Sequence, residues 1–147
     1  MKKIALLWVF MIFCSDASES MIDRTGYHMG VGGSGFIFVD EPMVIPAFDL
    51  SLEYGLTQKS TILLEHHGYL VAGLVSLEYK YYLRETANTF YLRGGAIGAY
   101  ALDYGAEINT GVFKVGVGYA WKYLEWDICV VGDSKDIIPM VSIRYKF

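Results

Sequence analysis

The chain has 147 residues, enough for one domain, and carries 12 basic against 16 acidic side chains for a formal charge of −4. No basic cluster is available to neutralise phosphates, which excludes nucleic acid as a partner. Hydrophobic residues make up 54% and aromatic residues 16% of the chain, yet beyond residue 13 no apolar run is long enough for a membrane helix, a combination that fits strands with apolar residues at every second position.

Lys2 and Lys3 precede the uninterrupted apolar run Ile4 to Phe13, which is too short to span a bilayer, and Cys14-Ser15-Asp16-Ala17 follows. This reads as a secretory signal peptide over residues 1–17, cut after Ala17 at a small-x-small site, leaving a single mature domain over residues 18–147. The competing reading is a lipoprotein acylated at Cys14, but Phe13 stands where that motif requires a small residue. Once Cys14 leaves with the signal, Cys129 has no partner for an internal disulfide.

Eight strands are predicted in the mature chain from alternation at period two. The first, about Gly26 to Val39, sets Tyr27, Met29, Val31, Ile37 and Val39 against His28, Gly30, Gly32, Ser34 and Phe36. A loop from Asp40 to Pro46 follows. The second, Ala47 to Tyr54, sets Phe48, Leu50, Leu52 and Tyr54 against Asp49, Ser51 and Glu53. Residues 55–60 form a turn. The third, Thr61 to His67, has its alternation broken by Ile62-Leu63-Leu64, and His66-His67-Gly68 reads as a tight extracellular turn. In the fourth, from Tyr69, the residues Val71, Val75, Leu77, Tyr79 and Tyr81 lie opposite Ser76, Glu78 and Lys80. Arg84 to Thr89 is a polar turn.

The fifth strand starts at Phe90, with Leu92, Ala96 and Tyr100 opposite Tyr91, Arg93 and Gly95, and runs to about Asp103 before a loop over Gly105 to Gly111. The sixth, Val112 to Trp121, sets Phe113, Val115, Val117, Tyr119 and Trp121 against Lys114, Gly116, Gly118 and Ala120. The seventh sets Leu124, Trp126, Ile128 and Val130 against Glu125, Asp127 and Cys129, and a turn over residues 132–136 leads into the eighth. There Val141, Ile143, Tyr145 and Phe147 alternate with Ser142, Arg144 and Lys146.

A greasy strand face ending on an aromatic suits a strand with lipid on one side and a lumen on the other. Tyr145 and Phe147 resemble the C-terminal signature of bacterial outer-membrane β-barrels, in which a final Phe with Tyr two residues earlier marks the last strand for insertion. As a pattern, the mature chain is similar to the small barrels of the OmpA, OmpX and OmpW kind. The resemblance implies an all-β, eight-stranded antiparallel up-and-down transmembrane barrel in a Gram-negative outer membrane. It also implies a monomer surrounded by lipid and lipopolysaccharide, with the barrel assembly machinery as a partner during insertion. An even strand number puts both termini on the periplasmic side, and Tyr27, Tyr54, Tyr81, Phe90, Trp121, Trp126 and Phe147 then fall at the periplasmic strand ends as an interfacial girdle.

The motifs that suggest chemistry have plainer readings. Gly30-Val31-Gly32-Gly33-Ser34-Gly35 satisfies G-x-G-x-x-G but lies within a strand and leads into no helix, so no dinucleotide cofactor is expected. The small residues there, like Gly94-Gly95 and Gly116-Val117-Gly118, relieve crowding inside a narrow barrel. His66 and His67 are adjacent on a strand, point to opposite faces, and make no metal pair. A deacylase acting on envelope lipid needs a lipid-facing Ser-His pair, and none is evident, so no catalytic residue is assigned. Eight strands leave a lumen that side chains fill, which disfavours a general porin.

The role expected is structural or surface-interacting, with the lipid-modifying enzyme and a narrow conduit or binder for small apolar molecules as alternatives. An interior charge network is expected from His28, Glu53, Glu78, Arg93, Glu125, Asp127, Arg144 and Lys146. Glu125 and Asp127 should meet Arg144 and Lys146, His28 should stand level with Glu53, and Glu78 should face Arg93.

Overall fold

The computed structural model describes residues 21–38, 43–69, 72–101, 112–132 and 136–147. The expected signal peptide and its cleavage site, the expected loop over Gly105 to Gly111, the expected strand residues Val39, Val71 and Asp103, and the centre of the last turn fall outside them. Eight strands are present: β1 (Gly26–Phe38), β2 (Met43–Gly55), β3 (Ser60–Tyr69), β4 (Ala72–Tyr82), β5 (Asn88–Ala101), β6 (Val112–Trp121), β7 (Leu124–Gly132) and β8 (Ile137–Lys146). Each pairs antiparallel with its neighbour in sequence, and β1 pairs with β8, so the sheet closes into an up-and-down barrel with no helix among the described residues. Closure removes the free edges that an open sheet of this length would expose.

Alternation decides the two faces. The rows headed by Leu50, Leu77, Leu92, Val117, Ile128 and Ile143 are exposed on the outside, while Asp49, Glu78, Arg93, Lys114, Asp127 and Arg144 are buried within. Tyr27 and Tyr54 stack on the outer wall at 4.8 Å, and Phe90 meets Tyr119 at 4.9 Å, so the girdle aromatics gather at the end that holds Phe147. The turns at that end are short. Lys122 and Tyr123 alone join β6 to β7, with Lys122 in the left-handed region at φ 52°.

β5 begins at Asn88, inside the expected polar turn, and two further boundaries and the alternation of β3 also differ from the sequence reading. β2 begins at Met43, inside the expected loop, and carries Pro46 opposite Gly35 of β1. Among the described residues β3 pairs with β2 from Phe48↔Gly68, two residues beyond Pro46, so the proline interrupts no described ladder on that side. β3 itself does not turn at His66-His67-Gly68 but runs on to Tyr69, which pairs with Ala72. Gly68, at φ 130°, faces Gly73 so closely that a Cβ on Gly68 would come 2.7 Å from the Gly73 Cα, and this pair lets the hairpin narrow one step later. Finally, Ile62-Leu63-Leu64 does not break the alternation, because Leu63 points into the lumen and is 1% exposed.

Candidate functional site: the barrel interior

The lumen is filled in tiers. At the end that holds the termini, the segment before β1 folds across the opening. Arg24, 3% exposed, donates to the carbonyls of Gln58 (3.3 Å), Arg84 (3.4 Å) and Thr86 (2.5 Å) and lies 4.2 Å from the Tyr82 ring centroid. These carbonyls belong to the β2–β3 and β4–β5 turns, so one guanidinium ties two turns to the chain start.

Above it lies the first ionic tier. Lys80 Nζ sits 2.6 Å from Glu125 and 3.1 Å from Glu53, while Lys146 Nζ sits 3.0 Å from Glu53 and 3.2 Å from Glu125. The Tyr82 hydroxyl lies 2.9 Å from both carboxylates and donates to one at a time. Lys80 also approaches the Tyr91 ring at 4.5 Å, and Tyr91 fits only because Gly118 opposite it has no Cβ.

The second tier centres on two arginines. Arg93 grips Glu78 through Nε (2.5 Å) and a terminal nitrogen (2.6 Å), reaches Asp127 at 2.7 Å, and also pairs with Glu65. Arg144 pairs with Glu65 on one side and Asp127 on the other, so β8 is joined to β3 across the lumen. Asp127 also accepts from Tyr91 (2.9 Å) and Ser142 (2.6 Å). Burying this many charges is tolerable only because each carboxylate has several cationic or hydroxyl partners.

The third tier is smaller. Lys114 Nζ lies 2.8 Å from Glu65, 3.1 Å from Glu78 and 2.7 Å from His67 Nε2. His67 Nδ1 lies 2.7 Å from Asp49, which accepts from Ser34 at 2.8 Å. The donor atoms of Asp49, Glu65 and His67 lie within 4.8 Å of one another, the geometry of a metal site. The Lys114 ammonium, however, occupies the position between Glu65 and His67 that a cation would take. The donor set therefore does not fit a metal unless Lys114 is displaced. Nor do Ser34, His67 and Asp49 form a nucleophile relay, since Ser34 donates to the carboxylate and Lys114 holds His67 Nε2.

Above these tiers the interior turns apolar. Ile97, Cys129, Val131 and Met140 are buried together, with Phe36, Leu74 and Val112 packed on them. Over this floor an apolar cup of about 380 Å³ opens at the end away from the termini.

Of the residues expected in the network, Glu53, Glu78, Arg93, Glu125, Asp127, Arg144 and Lys146 lie inside and in contact. His28 pairs in register with Glu53, but its Nε2 has no hydrogen-bond partner, while Glu53 is held by Lys80, Tyr82 and Lys146. Arg144 stands opposite Glu125 yet reaches it only at 3.9 Å, spending its closer contacts on Asp127 and Glu65. Glu65, Lys80, Lys114, His67 and Arg24 join the interior although none of them is among the residues expected in the network. Alternation alone places Lys80 and Lys114 inward, whereas Glu65 and His67 were obscured by the ambiguous third strand. On the outer wall, Tyr145 and Phe147 are exposed, and the Phe147 backbone exchanges hydrogen bonds with Met29 at 2.9 and 3.1 Å. His66 faces outward too, with Nε2 2.5 Å from the Tyr100 hydroxyl and no serine hydroxyl bonded to it among the described residues.

Gly30 and Gly32 of the G-x-G-x-x-G run approach the neighbouring strands too closely for a side chain, since a Cβ on Gly32 would meet the Arg144 side chain at 2.8 Å.

No protein-family model matches the chain, and no curated protein matches it. Among solved structures, the chain is similar to the N-terminal β-barrel domain of Pseudomonas aeruginosa OprF, at 14% identity and a TM-score of 0.55, over 82% of this chain and 96% of that one. It is also similar to the de novo designed TMB2.3, at 8% identity and a TM-score of 0.58, over 86% of this chain and 98% of that one. At these identities the likeness establishes the fold, a closed eight-stranded antiparallel barrel.

Proposed function

We propose that the chain is an outer-membrane barrel that spans the bilayer as a plugged cylinder, with a structural or surface-interaction role and no general porin activity. The observation that carries this reading is the ionic bridge Glu65–Arg144–Asp127, which crosses the lumen from β3 to β8 with all three side chains buried. An exposed apolar outer wall around a charged interior is the inverse of a soluble protein and suits lipid outside. In this reading residues 1–17 direct export, the assembly machinery recognises the strand bearing Tyr145 and Phe147, and lipopolysaccharide surrounds the monomer. The acyl-hydrolase alternative has no lipid-facing Ser-His contact behind it among the described residues: Ser34 Oγ and His67 Nδ1, 3.5 Å apart, are both buried in the lumen. The test is the full chain reconstituted in a planar bilayer: no stepwise ionic conductance is expected, and sustained channel openings would overturn the plugged reading. Fractionation of cells expressing the protein, with the bulk recovered in the inner membrane or periplasm, would overturn the location.

A further inference from the structure

The wall beside the apolar cup has an unpaired stretch between β1 and β8. Pairing between β1 and β8 runs from Gly30↔Lys146 to Phe36↔Met140 and then stops, although both strands continue, β1 through Ile37 and Phe38 and β8 back through Pro139 to Ile137. Pro139 has no N–H to contribute to a ladder and stands at the first unpaired step. Its pairing with Val130 on β7 is intact, so β8 stays in the wall while the tip of β1 continues only with β2. The end of the β1–β2 hairpin therefore forms an arm with no ladder to β8.

The cup lies directly behind this gap. Phe36, Phe38 and Ile45 line it from the arm, Val131 and Ile138 from β7 and β8, and Asp136 is the one ionisable residue in its described lining. Its volume of about 380 Å³ falls in the range of small-molecule sites. An apolar cup of this kind does not hold ordered water well, and its floor closes over the ionic tiers, so nothing passes through.

The height of the gap decides what fills the cup. At about 3.4 Å per residue and a strand tilt of about 40°, Ile137 stands roughly 20 Å above the girdle at Tyr145, within the ~25 Å apolar band of such barrels. The gap then faces hydrocarbon, with Ile137, 60% exposed, on its outer lip. From this placement we infer that the cup is a lateral binding slot for one alkyl chain of a membrane lipid, admitted between the tip of β1 and β8. The inference rests on the membrane reading above.

The experiment uses the full chain with Trp8→Phe, Trp121→Phe, Trp126→Phe and Cys14→Ser, so that an introduced tryptophan is the sole reporter, refolded into phosphatidylcholine vesicles whose acyl chains are brominated, which quench tryptophan only on contact. Val75→Trp, on the outer wall, reports insertion, while Leu74→Trp and, as a second reporter against misfolding, Val112→Trp report the cup. Loss of fluorescence at the cup reporters comparable to that at Val75→Trp is expected. Adding Phe38→Cys and Ile138→Cys and oxidising them should abolish the quenching at Leu74→Trp and leave Val75→Trp quenched, with reduction restoring it. The native Cys129, 1% exposed, stays out of that chemistry. An unquenched Val75→Trp would sink the membrane reading itself. Quenching at Val75→Trp with none at either cup reporter would overturn the slot, and quenching that survives the oxidised pair would overturn entry between β1 and β8.

Discussion

Arg144→Met tests the interior most directly. Methionine keeps much of the volume but removes the charge that faces Glu65 and Asp127 and the 3.1 Å contact to the Tyr91 hydroxyl. Removing one partner of a buried pair costs about 3–5 kcal/mol, because an uncompensated charge stays behind. Both carboxylates keep Arg93, and Glu65 keeps Lys114, so the lower end, about 3 kcal/mol, is expected. Lys59→Met is the control. Lys59 and Glu85 meet at 3.9 Å with both side chains more than 40% exposed, a pair worth about 0–1 kcal/mol. Equilibrium urea unfolding of the barrel in vesicles, followed by tryptophan fluorescence and by heat-modifiable gel mobility, gives both values. A double-mutant cycle sharpens it: Glu65→Gln should cost less in the Arg144→Met background than in the parent. If Arg144→Met were as mild as Lys59→Met, or the two mutations simply added, the network would not hold the barrel together.

Three other outcomes follow from the same geometry. Val117→Arg puts a charge on the outer wall and should destabilise the inserted barrel by about 2–4 kcal/mol near the midplane, whereas the same change in the exposed turn residue Lys122 should do little, as read by urea midpoints in vesicles. Gly118→Val should cost about 1–3 kcal/mol by driving a side chain into the Tyr91 ring, and the double variant with Tyr91→Ala should recover part of that loss. Phe147→Ala should lower the yield of heat-modifiable barrel in cells without lowering the amount that reaches the periplasm, and an unchanged yield would remove the insertion role from that side chain.

The outer wall was legible because rows such as Phe113, Val115 and Val117 repeat at period two. The direction of Glu53, Arg93 and Asp127 followed from the same period. Their partners did not. Lys80 and Glu125 stand on β4 and β7, and their contact depends on strand shear and side-chain reach, which no local pattern encodes. Leu63 hid Glu65 and His67, because one apolar residue turned inward looks like a lost register. Arg24 precedes the first strand and binds turn carbonyls, which leave no periodic trace. Pro46 argued for a loop, yet β2 carries it in its ladder with β1, opposite Gly35.

The ionic bridge from Glu65 to Arg144 joins residues 79 apart in sequence, and Glu65 is also held by Lys114, 49 residues away. Contacts of such separation form late, after the loops between them have been closed. During assembly the acids of β3 and β7 can therefore meet Arg93 and Lys114 first, but one of their cations is carried on the final strand. Until β8 arrives, the curling sheet gains little by expelling water from its hollow side, since that would strand Glu65 and Asp127 short of a counter-charge. Arrival of Arg144 makes drying of the interior and zipping of β8 onto β1 favourable together. A chain in which β8 docks one residue out of register turns Arg144 outward and leaves Glu65 and Asp127 without it.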